Sequence, residues 1–196
     1  MTPHIVRKRR AREQHILESA VSAFRDRGYH GTSLADIART LHLTKGSLYH
    51  YFPDKEAILF HCHDRALGRV LGEAERVLRR HHTPAERLRE MVRALVRVTL
   101  SGFHGTALSL EFRALRGQKL RSVLRRRDRY ETLLRSVVEQ GIRSGQFRPV
   151  DVKLAVFAIL GSINWIAQWY RPGGEADAEA IASAFGDLFW RGLKKP

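Results

Sequence analysis

Residues 33–52 read SLADIARTLHLTKGSLYHYF, and the spacing within that stretch decides the fold. Ser33 is placed to cap a short helix over residues 34–41, with the Asp36 carboxylate in its first turn, at the positive end of the helix. Thr44 is placed to cap a second helix over residues 45–51, which Pro53 ends. Ile37 and Leu41 face inward from the first helix, Leu48 and Phe52 from the second, and Ala38 is small where the two should cross. Three or four residues lie between them, the spacing of a helix-turn-helix. The outward residues of the second helix are Lys45, Gly46, Ser47, Tyr49 and His50. They offer donors and aromatic rings without a carboxylate, which suits nucleobase edges and phosphates. Gly46 leaves room for the backbone to come close to nucleic acid.

Working outward, residues 5–27 carry Ile16, Leu17, Ala20, Val21 and Phe24 on one helical face and stop at Gly28, a natural residue just past a helix end. The arm Arg7-Lys8-Arg9-Arg10-Ala11-Arg12 holds five cations and no acid. Arg7, Arg9 and Arg10 are expected to follow a phosphate backbone or enter a minor groove, the alternative being a solvated tail. Beyond Pro53, Asp54 caps a helix to about residue 80. Further helices are expected from Pro84 to the Ser101-Gly102 break, over 106–115, 119–143 and 152–170, and from the Asp177 cap to about 193. That makes an all-α chain of nine helices. A three-helix DNA-binding domain (1–55) is expected to join a helical ligand-binding and dimerisation domain (56–196) through a continuous helix.

The 196 residues include 35 Lys and Arg against 20 Asp and Glu, a formal charge of +15, which calls for a polyanionic partner. A single cysteine, Cys62, excludes an internal disulfide framework and a four-cysteine zinc site, and fits a reducing cytoplasm. Met1 to Arg12 lacks the apolar stretch of a signal peptide. The longest apolar run, 154–169, is short of the roughly 20 residues of a membrane span and is interrupted by Asn164 and Gln168, so a buried helix is expected.

Residues 31–59, GTSLADIARTLHLTKGSLYHYFPDKEAIL, resemble the signature of the TetR family almost position by position, and FRDRGY at 24–29 resembles its usual entry. The resemblance implies an all-helical dimer, an inducer pocket in the C-terminal domain, and usually repression. It puts Ser33, Thr44, Lys45, Ser47, Tyr49, His50 and Lys55 where the family contacts DNA. His42 departs from the family's small turn residue, although histidine tolerates left-handed backbone better than most side chains.

Residues 160–174, LGSINWIAQWYRPGG, are similar to the branch that controls steroid-ring or fatty-acid breakdown, several members of which respond to acyl-coenzyme A thioesters. Asn164 and Gln168 share one helix face, and buried amides need partners. Trp165 and Trp169 would wall an apolar cavity, or else sit in a Trp-rich core or a dimer seam. Residues 113–135, next to Phe112, hold nine cations, Arg113 and Arg116 among them, against Asp128 and Glu131. They would bind coenzyme A phosphates, or simply form a solvated basic face. Dimerisation is expected through the last two helices as a four-helix bundle burying Ile181, Phe185, Leu188 and Phe189.

Two other classes compete. His61-Cys62-His63-Asp64 suggests a metal enzyme, yet helical residues two apart point away from each other, and no nucleophile elbow, phosphate loop or dinucleotide glycine pattern is present. Neither catalysis, a metal nor a cofactor is therefore expected. A nucleoid-type or membrane-surface protein would use the charge alone, which leaves the base-facing side chains without a purpose.

Overall fold

A computed structural model describes residues 3–109, 111–171 and 173–195. These form nine α-helices: α1 (Pro3–Arg27), α2 (Leu34–Thr40), α3 (Lys45–Tyr49), α4 (Lys55–Arg80), α5 (Pro84–Leu100), α6 (Gly102–Ser109), α7 (Gly117–Arg143), α8 (Val152–Trp169) and α9 (Ala178–Leu193). A 3-10 turn, Phe112–Ala114, precedes α7. Among the described residues there is no strand, only an isolated bridge between Phe147 and Lys194. Pro172, within the stretch 160–174 quoted above, lies outside them.

The helix starts follow local chemistry. Ser33 and Asp36 form a reciprocal capping box on α2, and Thr83 with Glu86 does the same on α5. Asp54, Asp151 and Asp177 each accept a backbone N–H at the starts of α4, α8 and α9. The first turn of α7 lacks a cap of its own. Glu56 in α4 supplies one from a distance, accepting the Arg116 N–H at 2.7 Å.

Apolar residues collect in two cores. One gathers Ile16, Leu17, Phe24, Ile37, Leu48 and Phe52 and continues up α4 through Leu59 and Cys62 to Leu67. The other runs from Val70 through α5, α7 and α8 to Leu193 in α9. The long helix α4 therefore belongs to both, and no linker separates the two halves.

Four expectations change. Gly102–Ser109 is helical rather than a break followed by a later helix. Gly105 is there because any side chain would run into the Thr99 carbonyl, so it marks a close approach of α6 to α5. The helix that holds the basic arm begins at Pro3, two residues before the expected start. α8 is not a buried helix. It is long and apolar enough to cross a membrane by composition, but only 22% of it is buried, along Val156, Ile159, Ile163 and Ile166. Finally, Ile181 is already buried within one chain, and Phe185 and Phe189 pack half-buried against the same core as an edge-on pair. Of the four residues assigned to a dimer bundle, only Leu188 stands open, at 64% exposure.

Candidate nucleic-acid interface and ligand pocket

The turn between α2 and α3 is made by His42, whose φ of 53° is the only left-handed backbone at a non-glycine among the described residues. Leu43 N–H donates to the Ala38 carbonyl at 2.9 Å and closes the turn. Thr44 caps α3, accepting the Ser47 N–H at 3.1 Å, and the two hydroxyls lie 2.8 Å apart. Leu48 is fully buried and fixes the rotation of α3, so Lys45, Gly46, Tyr49 and His50 are turned outward and exposed. The Lys45 ammonium sits 5.8 Å from the Tyr49 ring centroid, and Tyr49 is 46% exposed. A side chain at Gly46 would meet almost nothing, so the space above it is open.

The start of α1 runs alongside. Ile5, Lys8, Arg9 and Arg12 form one wall of an open groove whose other wall is Ser47, His50 and Tyr51 of the α3 region. Arg7 and Arg10 are exposed but do not line it. Lys8 and Arg12 were missed as site residues; the 5, 8, 9, 12 spacing is that of one face of the helix read over 5–27 and could have found them.

Ser33 and Lys55 have local duties. The Ser33 hydroxyl donates to the Asp36 carboxylate at 2.6 Å, and that hydroxyl, followed by the Ser33 N–H, holds the Asp36 carboxyl down at about 2. Lys55, expected to meet DNA, instead donates to the Tyr29 and Thr32 carbonyls at 2.7 and 2.9 Å, and its ammonium lies 4.3 Å from the Tyr29 ring centroid. Partial burial pushes its pKa below the usual value. Buried Thr32 donates in turn to the Ala23 and Gly28 carbonyls. The first residue of α4 is thus clamped to the α1–α2 connection, so α4 and the reading head move together.

An open pocket of about 230 Å³ lies between α5, α6, the 3-10 turn, α7 and α8. It is lined by Thr99, Gly105, Ser109, Phe112, Arg127, Asn164, Ala167 and Gln168. Asn164, Gln168 and Phe112 come together here, but Asn164 and Gln168 are exposed rather than the buried amides expected, because this side of α8 is left uncovered. Trp165 and Trp169 do not: they are 65% and 46% exposed and line no part of this pocket. Arg113 and Arg116 are exposed outside it, and the pocket's cation is Arg127, whose guanidinium lies 4.3 Å from the Phe112 ring centroid. Burial lowers the pKa of Arg127.

Three cations of the basic stretch pair with α4 and its cap. Lys119 meets Glu56 at 3.0 Å and Asp54 at 3.5 Å, Arg126 meets Asp64 at 3.0 Å, and Arg129 meets Glu75 at 2.6 Å. These pairs tie the pocket wall to the helix that carries the reading head.

His61 and His63 point apart, one exposed and one buried, and among the described residues no three His, Cys, Asp or Glu side chains gather to hold a metal. On the outer side, a groove of about 580 Å³ between α8 and α9 is lined by Leu154, Ala158, Leu188, Phe189 and their neighbours.

Residues 16–62 match the family described as bacterial regulatory proteins, tetR family, and residues 81–193 match the tetracyclin repressor-like C-terminal domain. The transcriptional repressor KstR2 of Mycolicibacterium smegmatis is 27% identical over 190 residues, 94% of this chain and 92% of its own. The structure of the TetR family regulator PfmR from Thermus thermophilus superposes with a TM-score of 0.83 at 37% identity, covering 92% of this chain and 99% of that one. AibR, solved with isovaleryl coenzyme A and operator DNA, superposes with a TM-score of 0.82 at 30% identity, covering 90% of this chain and 97% of its own.

Proposed function

The chain belongs to the TetR family of bacterial regulatory proteins, and on that premise we propose that it is a repressor released by a ligand. It binds a palindromic operator as a homodimer and leaves it when a small hydrophobic or acyl-coenzyme A molecule enters the pocket. The observation that carries this reading is the outward face of α3. Lys45, Gly46, Tyr49 and His50 stand clear of the protein beside the basic wall of Lys8, Arg9 and Arg12. Side chains on α3 reach base edges, while the wall and the Thr44 and Ser47 hydroxyls hold phosphates. Residues 1–55 act as the reading head and 56–196 as the ligand-binding and dimerisation part, with α4 shared between them.

The dimer is assigned to α8 and α9. Leu154, Phe157, Trp165, Trp169 and Leu188 are large, apolar and exposed, a patch that a soluble monomer rarely leaves uncovered. A second copy packing α8 and α9 against the first covers it and sets two reading heads at a fixed separation. The regulator works in the cytoplasm, where its operator lies.

Release follows from differential affinity: the ligand must bind the DNA-incompetent arrangement more tightly. Movement of the pocket wall reaches α4 through Lys119, Arg126 and Arg129, and α4 carries the clamped reading head with it. The acyl-coenzyme A assignment draws on AibR and on the cation at the pocket wall. A selection from random duplex DNA tests the core of the proposal. It is expected to return a palindrome with two half-sites, and a pool without any motif would leave only charge-driven binding.

A further inference from the structure

Residues 112–127 hold seven Lys and Arg and no Asp or Glu, so the segment cannot neutralise itself. Lys119 and Arg126 find acids on α4 and its cap, and Arg127 lines the pocket. Arg113, Arg116, Arg121 and Arg125 are left exposed, with no ion pair among the described residues. Further along the same helix the pattern reverses: Arg129, Arg135 and Arg143 each meet an acid, Glu75, Glu131 and Glu139. A face kept charged only for solubility has no reason to collect its unpaired cations at one end. Arg116 also occupies the N-cap of α7, the positive end of that helix, where a cation is disfavoured and an anion favoured.

That end of α7 adjoins the reading head. The Arg116 N–H donates to Glu56, and the Lys119 ammonium lies 3.5 Å from Asp54, which follows Tyr49, the last residue of α3, by five positions. Burial raises the pKa of the Tyr29 hydroxyl and the Glu56 and Asp54 charges add to it, while the Arg116 charge opposes them, so that guanidinium is within electrostatic reach of the α1–α2 connection. His30 and Gly31 on the same connection are exposed. We propose that Arg113, Arg116, Arg121 and Arg125 form a second DNA surface, which holds phosphates of the duplex flanking the half-site that α3 reads. The inference rests on the operator reading above and goes beyond it, because it extends the footprint past the bases that are discriminated. Guanidinium forks match phosphate oxygens, and such contacts add affinity without sequence preference. Arg113 and Arg116 stand nearest the reading head, with Arg121 and Arg125 about one and two turns up α7. A flank that curves towards the body of the protein therefore meets more of the four.

The test uses the full chain and two duplexes, the selected palindrome alone and the same palindrome extended by about one helical turn on each side. Binding is followed by anisotropy across a salt series for the parent and for Arg113→Gln/Arg116→Gln/Arg121→Gln/Arg125→Gln. The parent is expected to bind the extended duplex more tightly, with a log–log salt slope steeper by about two units, one flanking phosphate per protomer. That advantage then shrinks roughly tenfold between about 50 and 200 mM salt. The variant should melt like the parent, bind the short duplex equally well, keep the preference for the palindrome over a scrambled sequence, and lose the gain from the flanks. A parent that selects a palindrome yet binds both duplexes alike overturns the inference and leaves the operator reading intact, and so does a variant that keeps the flank gain. A parent without a preferred palindrome overturns both. Phosphatidylglycerol vesicles bound by the parent and not by the variant, with no flank gain on DNA, would give the patch to a membrane surface and overturn the inference. Should the variant fail to fold, the parent decides: uncharged methylphosphonate linkages placed in the flanks of the extended duplex must remove the steeper slope, and an unchanged slope refutes the contact.

Discussion

Lys55→Met separates two roles for one lysine. The ammonium donates to two carbonyls at 2.7 and 2.9 Å and sits over the Tyr29 ring, in a half-buried position. Hydrogen bonds to a charged group contribute roughly 1.5–3 kcal/mol each when well shielded. A cation–π contact at such a site adds about 0.5–1 kcal/mol. Solvent screening and the shared donor reduce the sum, so removing the charge while keeping the stem should destabilise the fold by about 2–4 kcal/mol. For a chain of this length that is a fall in Tm of roughly 4–16 °C. Differential scanning calorimetry measures it. The second assay is the salt dependence of operator binding at a temperature where the variant is folded. A phosphate contact by Lys55 would give up close to one unit of the log–log slope per protomer on removal, about two for the dimer. The slope is expected to stay as in the parent. An unchanged Tm with a shallower slope would refute the clamp and return Lys55 to the DNA surface.

Three further outcomes follow from the geometry. His42→Val places a β-branched side chain at φ 53° and should cost about 1–2 kcal/mol, read from urea midpoints, without moving the melting of a His42→Gly control downward. Asp36, held down to about 2 first by the Ser33 hydroxyl, contributes stability that is complete above the ordinary carboxylate range and is lost as pH falls from about 4 towards 2. The stability difference between parent and Asp36→Asn should therefore be full at about pH 6 and vanish at the acid end of a pH series, and a constant difference would contradict the capping role. Trp165→Asp combined with Leu188→Asp should convert the dimer to a monomer in sedimentation, with the chain's helical content retained.

What was legible in the sequence was local. Ser33, Thr44, Asp54 and Asp177 announce helix starts because each acts on an N–H a few residues away, and all four cap as read. The turn at His42 was readable for the same reason. Contacts that join distant residues were not. Lys55 serves carbonyls at positions 29 and 32, and Glu56 caps a helix sixty positions later, so neither role leaves a mark in the nearby sequence. Gly105 was misleading because glycine serves both helix ends and close approaches, and only the position of Thr99 distinguishes them. Trp165 and Trp169 were apolar on either reading. Whether such a face is covered by its own chain or a second one depends on what α5, α7 and α9 leave open, and they leave that side of α8 bare. In the pocket, the shared face of Asn164 and Gln168 was readable from their spacing but their exposure was not, and Arg127 was one of nine cations with nothing in the sequence to single it out.

The central claim is that the outward side chains of α3 discriminate between bases. Competition anisotropy of Lys45→Ala/Tyr49→Ala against the selected palindrome and a scrambled duplex tests it most directly. The variant should melt like the parent, keep its affinity for scrambled DNA apart from the loss of one cation, and lose its preference for the palindrome. A variant that still prefers the palindrome as strongly as the parent does would show that the bases are read elsewhere.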